Sequence, residues 1–393
     1  MQAHKNPFVT GDGVTPPKLA GRDGVLRDVT ISYQRALEGI PPRSFMFIGL
    51  RGVGKTVLLN KIAQDAEDEA KCVVSMIEAQ EGRPLTELLF PLLGTTLRKL
   101  SKAELAKDIV AKGFRALRNF AQTFKISFRG VEISIETAPE PGVADSGNLE
   151  FDLPDMFELI GKAALKQSKV RILLIDEVQC LTKDELGALI VTMHKMSQRG
   201  LSVVLIGAGL PQVAKLAGET KSYAERLFDW RRIGPLSHDA INQAIRIPVE
   251  QRGVTIETEA LDKIAEITRG YPFFIQALAF YSWQEAQPPA ITLADIRKAY
   301  RPAVESMIDG IVRFNRLTAT EVEYVKAMSQ LPSAPYRVGD VAAIFGRSAS
   351  SCSRIRDNLI KKGTVYSTQL GYIDFTIPLF AKYLNGTLLE AKV

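Results

Sequence analysis

A glycine-rich octet near the start of the chain, Gly49-Leu50-Arg51-Gly52-Val53-Gly54-Lys55-Thr56, constrains the fold more than any other segment. It follows a short apolar run, Ser44 to Ile48, that has the length and composition of a buried strand. Behind it, the apolar residues from Leu58 to Ala63 recur at the spacing of an amphipathic helix. A glycine-rich turn between a buried strand and a helix is the context that identifies a phosphate-binding loop.

The residue types of the octet fit a nucleoside triphosphate. Its three glycines allow the backbone to turn N–H groups toward phosphate oxygens, beside the positive end of the helix that follows. Lys55 is suited to bridge the β- and γ-phosphates, and Thr56 to place its hydroxyl on Mg²⁺. We therefore predict that the octet and the adjoining Val57 bind ATP with Mg²⁺, and that Lys55 also serves catalysis.

Two further apolar runs extend the pattern of a parallel sheet. Val170 to Ile175 ends in two adjacent acids, Asp176 and Glu177, at the carboxyl end where such a sheet presents its ligands. We predict that Asp176 holds Mg²⁺ and that Glu177 polarises the attacking water. Leu201 to Ile206 precedes a glycine-rich turn, which repeats the layout of a doubly wound sheet, and we expect its tip beside the γ-phosphate.

The order of phosphate loop, acidic strand and glycine-ended strand resembles the AAA+ superfamily, in the branch near archaeal and bacterial replication initiators and STAND-type ATPases. The segment Pro16 to Asp23 resembles the G-R-[DE] box of such proteins, which implies that Gly21 and Arg22 lie near the adenine. Gly270-Tyr271-Pro272 resembles the G-x-P element of their lid, which implies a nucleotide contact from Pro272. The resemblance implies a P-loop fold with a three-layer α/β/α core and a helical lid.

The same resemblance implies assembly. Ala224 to Phe228 precedes a strand-like segment, Arg232 to Leu236, at the place where related proteins carry an arginine finger that acts on a neighbour's nucleotide. It implies a catalytic role for Arg226 in a nucleotide-dependent homo-oligomer, with Arg231 and Arg232 as competitors for that role. A surface arginine at the end of a helix is the structural alternative.

Two departures from the family pattern concern turnover. The third strand ends in Gly207-Ala208, where active members often carry a polar sensor side chain that orients the attacking water. The lid helix after Gly270 also lacks the arginine that is typical of initiators. The sequence therefore predicts ATP binding more firmly than rapid hydrolysis.

Positive charge is confined to two segments of a chain whose net charge is +6. Residues 98–129 carry a net charge of +7, residues 317–393 carry +3, and the remainder carries −4. The first segment begins a predicted insertion, residues 98–149, with a basic amphipathic helix over 101–122 and a β-hairpin formed by 124–128 and 131–135. Such an insertion could contact DNA, a partner or a second subunit, or it could be a local structural cap.

The C-terminal residues are predicted to form three short helices and a hairpin, which resembles a winged helix-turn-helix domain. Thr320 is expected to cap the first helix, and Ser348 the third. In that fold the third helix enters the major groove and the hairpin touches the DNA backbone. Four residues of the third helix region would then contact double-stranded DNA: Ser350, Arg354, Arg356 and Lys361. Protein docking and an intramolecular lid are the alternative roles of such a domain.

The chain as a whole is predicted to contain three domains: a nucleotide-binding core in 1–236, a helical lid in 237–312 and the winged helix in 313–393. No apolar run approaches the length of a membrane span, and the first residues lack a signal peptide, so we expect a cytoplasmic protein without membrane contact. The leading hypothesis is a DNA-associated ATPase that acts as a nucleotide-controlled switch. The alternatives are a STAND-like signalling or defence ATPase and a chaperone-like loader of a partner enzyme.

Overall fold

The computed structural model describes residues 1–11, 13–101, 104–126, 141–314, 317–377 and 380–384. The chain divides into two compact units. The first unit comprises residues 1–22, 49–57 and 233–393, and the second unit comprises residues 23–48 and 58–232. None of the helices in the described ranges combines the length and the apolar character that a membrane span requires.

The second unit is built on a five-stranded parallel sheet with the order β2-β3-β4-β1-β5. Its strands are β1 (Ser44–Ile48), β2 (Cys72–Glu78), β3 (Val170–Asp176), β4 (Val203–Gly209) and β5 (Phe228–Arg232). Strands β1, β3 and β4 are buried along their whole length, as expected of parallel strands covered by helices. The three apolar runs that predicted strands are confirmed, although β4 continues through the glycines to Gly209.

The fifth strand lies earlier than predicted. The prediction of a strand over Arg232 to Leu236 was wrong. The strand β5 pairs with β1, with Phe228 opposite Ser44 at one end and Arg232 opposite Ile48 at the other. The pairing stops where β1 gives way to the glycine-rich turn, and Pro235 has no N–H with which to extend a ladder.

Helices surround this sheet: α1 (Asp23–Leu37), α2 (Lys55–Glu67, which starts in the first unit), α3 (Leu85–Leu100), α4 (Lys107–Thr123), α5 (Leu149–Lys166), α6 (Lys183–Gln198), α7 (Gln212–Thr220) and α8 (Ala224–Leu227). Successive side chains of a strand point to opposite faces. In β3, Leu173 and Ile175 belong to the main apolar cluster with α3 to α6, while Ile172 and Leu174 lie outside that cluster and are equally buried. Both faces are therefore covered, as in the α/β core that the sequence predicts.

The region predicted as an insertion contains the helix α4. The helix α4 follows a short 3₁₀ turn at Glu104–Ala106 and buries Leu117 and Phe120 in the main apolar cluster of the second unit. Leu105, which we expected on the apolar face, is 74% exposed. The predicted hairpin lies almost wholly outside the described residues.

In the first unit, the helices α9 (His238–Glu250), α10 (Thr258–Thr268), α11 (Pro272–Glu285) and α12 (Leu293–Phe314) occupy the region predicted as a helical lid. Two short parallel strands, β6 (Thr255–Ile256) and β7 (Ala290–Ile291), lie among them. The start of the chain binds to α11: Phe8 is buried in the apolar cluster of these helices, and Asn6 Nδ2 donates to the Phe280 carbonyl at 3.0 Å.

The C-terminal elements are α13 (Ala319–Ser329), β8 (Tyr336–Arg337), α14 (Val338–Phe345), α15 (Ser353–Lys361), β9 (Val365–Gln369), β10 (Tyr372–Phe375) and α16 (Phe380–Leu384). The predicted hairpin is confirmed as β9 and β10, and β8 completes an antiparallel sheet of order β8-β10-β9. These helices share one apolar cluster with α11 and α12, through residues that include Phe274, Tyr300 and Tyr324. The C-terminal elements are thus packed on the lid region within the first unit.

Both predicted caps in this region were wrong. The cap of α13 is Thr318, which forms a capping box with Glu321, and not Thr320. The helix α15 starts after Cys352, and the Ser348 hydroxyl accepts from the Ser351 N–H in the preceding turn instead. The apolar spacing was right in both cases, but several hydroxyl side chains stand near each helix start and only the backbone geometry selects one.

Candidate functional site

The glycine-rich octet forms the turn that the sequence predicts. Gly52 and Gly54 have φ values of +75° and +86°, which L-residues with side chains rarely adopt. Gly49 is required for another reason, because a Cβ there would lie 2.2 Å from the carbonyl oxygen of Ile233. Helix α2 begins at Lys55, so the N–H groups of its first turn open toward the loop, and the half-buried Val57 belongs to that turn.

The Lys55 side chain is folded into the loop. It is only 6% exposed, and its Nζ donates to the carbonyls of Gly49 at 3.1 Å and of Leu50 at 3.0 Å. The Lys55 ammonium is buried beside these two backbone carbonyls, where it can bind an anion that enters the loop. The arrangement is that of a phosphate-binding site.

The loop backbone is held from two sides within the first unit. The Arg22 guanidinium donates to the carbonyls of Val53, at 3.1 Å, and of Gly234, at 2.5 Å. On the lid side, the Phe273 N–H donates to the Gly52 carbonyl at 3.1 Å. Pro272, the predicted nucleotide contact, is the first residue of α11 and directly precedes Phe273. Segments far apart in sequence therefore fix the shape of the loop.

The turn around Gly21 places Arg22 for this contact. Gly21 has a φ of +68°, and a Cβ there would lie 2.9 Å from the Ala240 side chain in α9. Arg22 is only 8% exposed, and its burial lowers the pKa of the guanidinium from its ordinary value. The structure thus brings both predicted residues to the phosphate loop and to the lid.

Arg51, at the centre of the octet, contacts the C-terminal elements. Its N–H donates to the Thr376 carbonyl at 3.0 Å. Its guanidinium lies against Gly363, where an added Cβ would be 2.5 Å from Nη2. Gly363 and Thr376 are themselves joined, because the Thr376 hydroxyl donates to the Gly363 carbonyl at 2.6 Å. The segments that follow α15 and β10 are thus joined to each other, and both contact the phosphate loop.

The two predicted acids lie at the carboxyl end of β3 in the second unit. Asp176 is 2% exposed, and its Oδ1 accepts from the Glu177 N–H at 2.8 Å. Glu177 is half-buried and has a left-handed backbone, with φ +52° and ψ +40°. Its carboxylate accepts a short hydrogen bond from Gln179 Nε2. This strand lies next to β4, which in turn pairs with the strand that leads into the octet.

Comparison with known proteins agrees with this geometry. Residues 18–206 match the family model described as an AAA ATPase domain. Residues 311–384 match a model described as a domain of unknown function (DUF8462). Comparison with curated protein sequences gives no match.

Two solved structures share the fold over most of the chain. A Walker-type ATPase of Pyrococcus abyssi is 13% identical with a TM-score of 0.57, covering 93% of this chain and 96% of its own. The ORC1 protein of Aeropyrum pernix, solved in complex with DNA, is 13% identical with a TM-score of 0.51, covering 95% and 94% respectively. The chain thus shares its overall fold with these two proteins.

The three arginines predicted as candidate fingers, Arg226, Arg231 and Arg232, have different surroundings. Arg231 is engaged within the second unit, because its Nε and Nη2 donate to the Asp229 carboxylate and Nη2 also lies 3.1 Å from Asp28. The hydrogen bond that the Arg231 guanidinium donates to Asp229 raises the pKa of the guanidinium. Arg226 on α8 and Arg232 at the end of β5 are exposed. An exposed arginine can reach a neighbouring molecule, whereas Arg231 would first have to leave two acids.

The four predicted nucleic-acid residues do not form one uniform face. Ser350, Arg354 and Lys361 are exposed. The Arg356 side chain is 25% exposed, and its Nη2 lies 3.6 Å from the Asp357 carboxylate. The helix α15 therefore offers Arg354 and Lys361, two turns apart on one side, and its Asp357 opposes a phosphate contact.

Sequence reasoning did not find Phe273, Gly363, Thr376 or Gln179. Phe273 follows the G-x-P element directly, so that motif was a usable signal. Gly363 lies just after the end of α15 and has a φ of +63°, so a glycine that follows a helical pattern was a usable signal for a helix stop only. No local pattern distinguishes Thr376 or Gln179 from other polar residues near a strand end.

Proposed function

We propose that this protein binds and hydrolyses ATP with Mg²⁺ and that its C-terminal elements respond to the state of the phosphate loop. The observation that carries the proposal is the hydrogen bond from the Arg51 N–H to the Thr376 carbonyl, at 3.0 Å. It joins the middle of the nucleotide-binding octet to the segment after β10. A nucleotide that changes the loop would change this contact.

The roles of the site residues follow from their chemistry. The loop amides and Lys55 would bind the phosphates, and the hydroxyl of Thr56 and the carboxylate of Asp176 are the hard oxygen ligands that Mg²⁺ prefers. When bound, Mg²⁺ neutralises charge that develops on the phosphate oxygens. Glu177 would accept the proton of the attacking water. The position of Asp176 supports the assignment, because it is the last residue of β3, at the carboxyl end where a parallel sheet presents its ligands.

The nucleotide site and the C-terminal elements can be tested together by hydrogen exchange on a Glu177→Gln variant, which we expect to bind ATP but barely hydrolyse it. Saturating ATP should slow exchange in residues 49–57 and speed exchange in residues 363–377. Lys55→Ala in the same background is the control, because loss of phosphate binding should abolish both changes. Unchanged exchange in 363–377, alongside protection of the loop, would reject the switch and leave ATP binding intact. Wild-type turnover by the Glu177→Gln variant would reject Glu177 as the base.

DNA binding is the second candidate function. The helices α13, α14 and α15, the strand β8 and the hairpin of β9 and β10 have the element order of a winged helix. The exposed Arg354 and Lys361 on α15 support phosphate contacts, and the hairpin tip exposes 94% of Leu370. A structural neighbour was solved in complex with DNA, which adds support at the level of fold.

A salt titration of duplex binding tests this candidate. The Arg354→Ala, Lys361→Ala double variant should weaken binding and lower the slope of log K against log salt by about two. Lys326→Ala, which removes an exposed lysine from α13, is the matched control and should leave the slope unchanged. Absence of duplex binding at low salt would reject the candidate.

Assembly is the remaining part of the proposal. We infer that Arg226 acts on the nucleotide of a neighbouring copy, so ATP should drive oligomers that Arg226→Ala disrupts, while Arg231→Ala disturbs the fold through Asp229 instead. Such oligomers in the absence of DNA would favour the STAND-like alternative. Oligomers that form only with a captured enzyme would favour a loader.

A further inference from the structure

The turn after β3 connects the candidate base to the end of β4 through one side chain. Gln179 lies in the 3₁₀ turn Val178–Cys180, which the left-handed Glu177 starts. Its Nε2 donates to Glu177 Oε2, and its Oε1 accepts from the Leu210 N–H at 3.0 Å. The side chain thus spans from the carboxylate to the backbone directly after β4.

The orientation of this carboxamide is determined by its two partners. The Leu210 N–H can only donate and a carboxylate can only accept, so the oxygen must face Leu210 and the NH₂ must face Glu177. A hydrogen bond to an ionised group is also stronger than one between neutral groups. Gln179 therefore binds Oε2 of the Glu177 carboxylate. Oε1 of Glu177 is left as the oxygen that can accept a proton.

The end of β4 is shaped to admit this side chain. A Cβ on Gly209 would lie 2.8 Å from Gln179 Oε1, and a Cβ on Gly207 would lie 2.4 Å from Met46 Sδ. A side chain at Gly207 or Gly209 would therefore have to displace Met46 or Gln179. The carboxamide of Gln179 stands beside the strand end, and its Nε2 carries a second N–H besides the one directed at Glu177.

We propose that Gln179 is the positioning residue for Glu177, and that it supplies from the turn after β3 the polar group that the end of β4 lacks. This rests on the proposed function, in which Glu177 is the base. In that reaction the water oxygen bonds to the γ-phosphorus while the bond from that phosphorus to the bridging oxygen of ADP breaks. The water proton passes to the carboxylate and then to solvent. Gln179 fixes the carboxylate that receives it.

A double-mutant cycle tests the assignment. Gln179→Leu should lower kcat about tenfold or more while the Kd for ATP, measured with a fluorescent ATP analogue, changes by less than about twofold. In the Glu177→Gln background, Gln179→Leu should have no further effect on single-turnover hydrolysis, because the group it positions is gone. Gln179→Met, unbranched and of similar length, repeats the test if the leucine variant folds poorly.

Each other outcome contradicts the proposal. An unchanged or raised kcat would show that Gln179 is idle or restrains the base. An equal loss in both backgrounds, or a parallel loss of ATP affinity and Tm, would assign Gln179 a structural role. Failure of the proposed function is distinguishable, since Glu177→Gln alone would then turn over ATP like the wild type whatever Gln179 does.

Discussion

Replacing Arg171 with methionine should stabilise the second unit. Arg171 is fully buried in β3, where its Nη1 donates to the Val73 carbonyl, the Ser75 hydroxyl and the Ile172 carbonyl at 2.9 to 3.2 Å. Its Nε and Nη2 have no hydrogen-bond partner in the described part of the chain. Burial lowers the pKa of the guanidinium from its ordinary value to about 9. Burial of this charged guanidinium therefore lowers the free energy of unfolding of the second unit.

The size of that cost follows from the pKa. The lowering of the Arg171 pKa to about 9 corresponds to about 5 kcal/mol against the charged form. The three hydrogen bonds that Nη1 donates each offset about 1 kcal/mol of this penalty. The expected net gain on replacement is about 2 kcal/mol, which agrees with the known stability of cores whose buried charges were replaced by apolar side chains. For a domain of this size, that raises Tm by about 4–8 °C.

The pH dependence gives the sharper assay. Below pH 9 both the folded and the unfolded states keep the Arg171 proton, so the penalty is fully present. As the pH rises above 9 the folded state releases the proton first, and the wild type gains stability relative to the Met variant until the unfolded state also titrates at the ordinary, higher pKa of arginine. The Tm difference between Arg171→Met and wild type, measured from pH 7 to pH 10, should narrow at the upper end.

A matched control separates this effect from any general effect of losing an arginine. Arg83→Met removes an exposed arginine from the same unit and should change Tm little at every pH. The reasoning is refuted if Arg171→Met is less stable than the wild type at pH 7, or if the Tm gap between the two stays constant up to pH 10.

Three other substitutions test contacts described above. Gly49→Ala should abolish ATP binding and lower Tm, because its Cβ would overlap a backbone carbonyl that cannot swing aside; a Kd within tenfold of wild type would contradict this. Thr318→Ala should cost about 1 kcal/mol in urea unfolding by removing the capping box, and Thr318→Ser should restore it. Gly363→Ala should alter ATP affinity by displacing Arg51, whereas Gly371→Ala, with a similar φ of +79° and open space, should not; equal effects would contradict the contact.

Local sequence patterns predicted the elements that position the nucleotide site. The octet sits between β1 and α2, and the acids follow β3, because apolar runs of strand length and helical periodicity are properties of neighbouring residues. The strand after α8 was misplaced, because its extent depends on pairing with β1, which lies far away in sequence. The cap of α13 was misplaced by two residues, since Thr318 and Thr320 have the same capping chemistry.

The contacts of the site were less accessible to such reasoning. From Gly207-Ala208 we predicted that the end of β4 carries no polar side chain, and this is true of the strand itself. The carboxamide that stands there comes from Gln179, thirty-one positions before its backbone partner. Likewise, the carbonyl that binds the Arg51 N–H belongs to Thr376, at the opposite end of the chain. Only the folded backbone brings such pairs together.

The contacts of the octet also limit how strongly ATP could act on the C-terminal elements. A ligand shifts an equilibrium only by the difference in its affinity for the two states. The contact consists of one backbone hydrogen bond and the packing of the Arg51 guanidinium on Gly363, together worth about 1–2 kcal/mol. Coupling of that size corresponds to about a 5- to 30-fold change in the ratio of molecules with this contact broken to molecules with it formed. The apolar cluster that joins these elements to α11 would remain, so ATP would adjust the C-terminal elements and would not detach them.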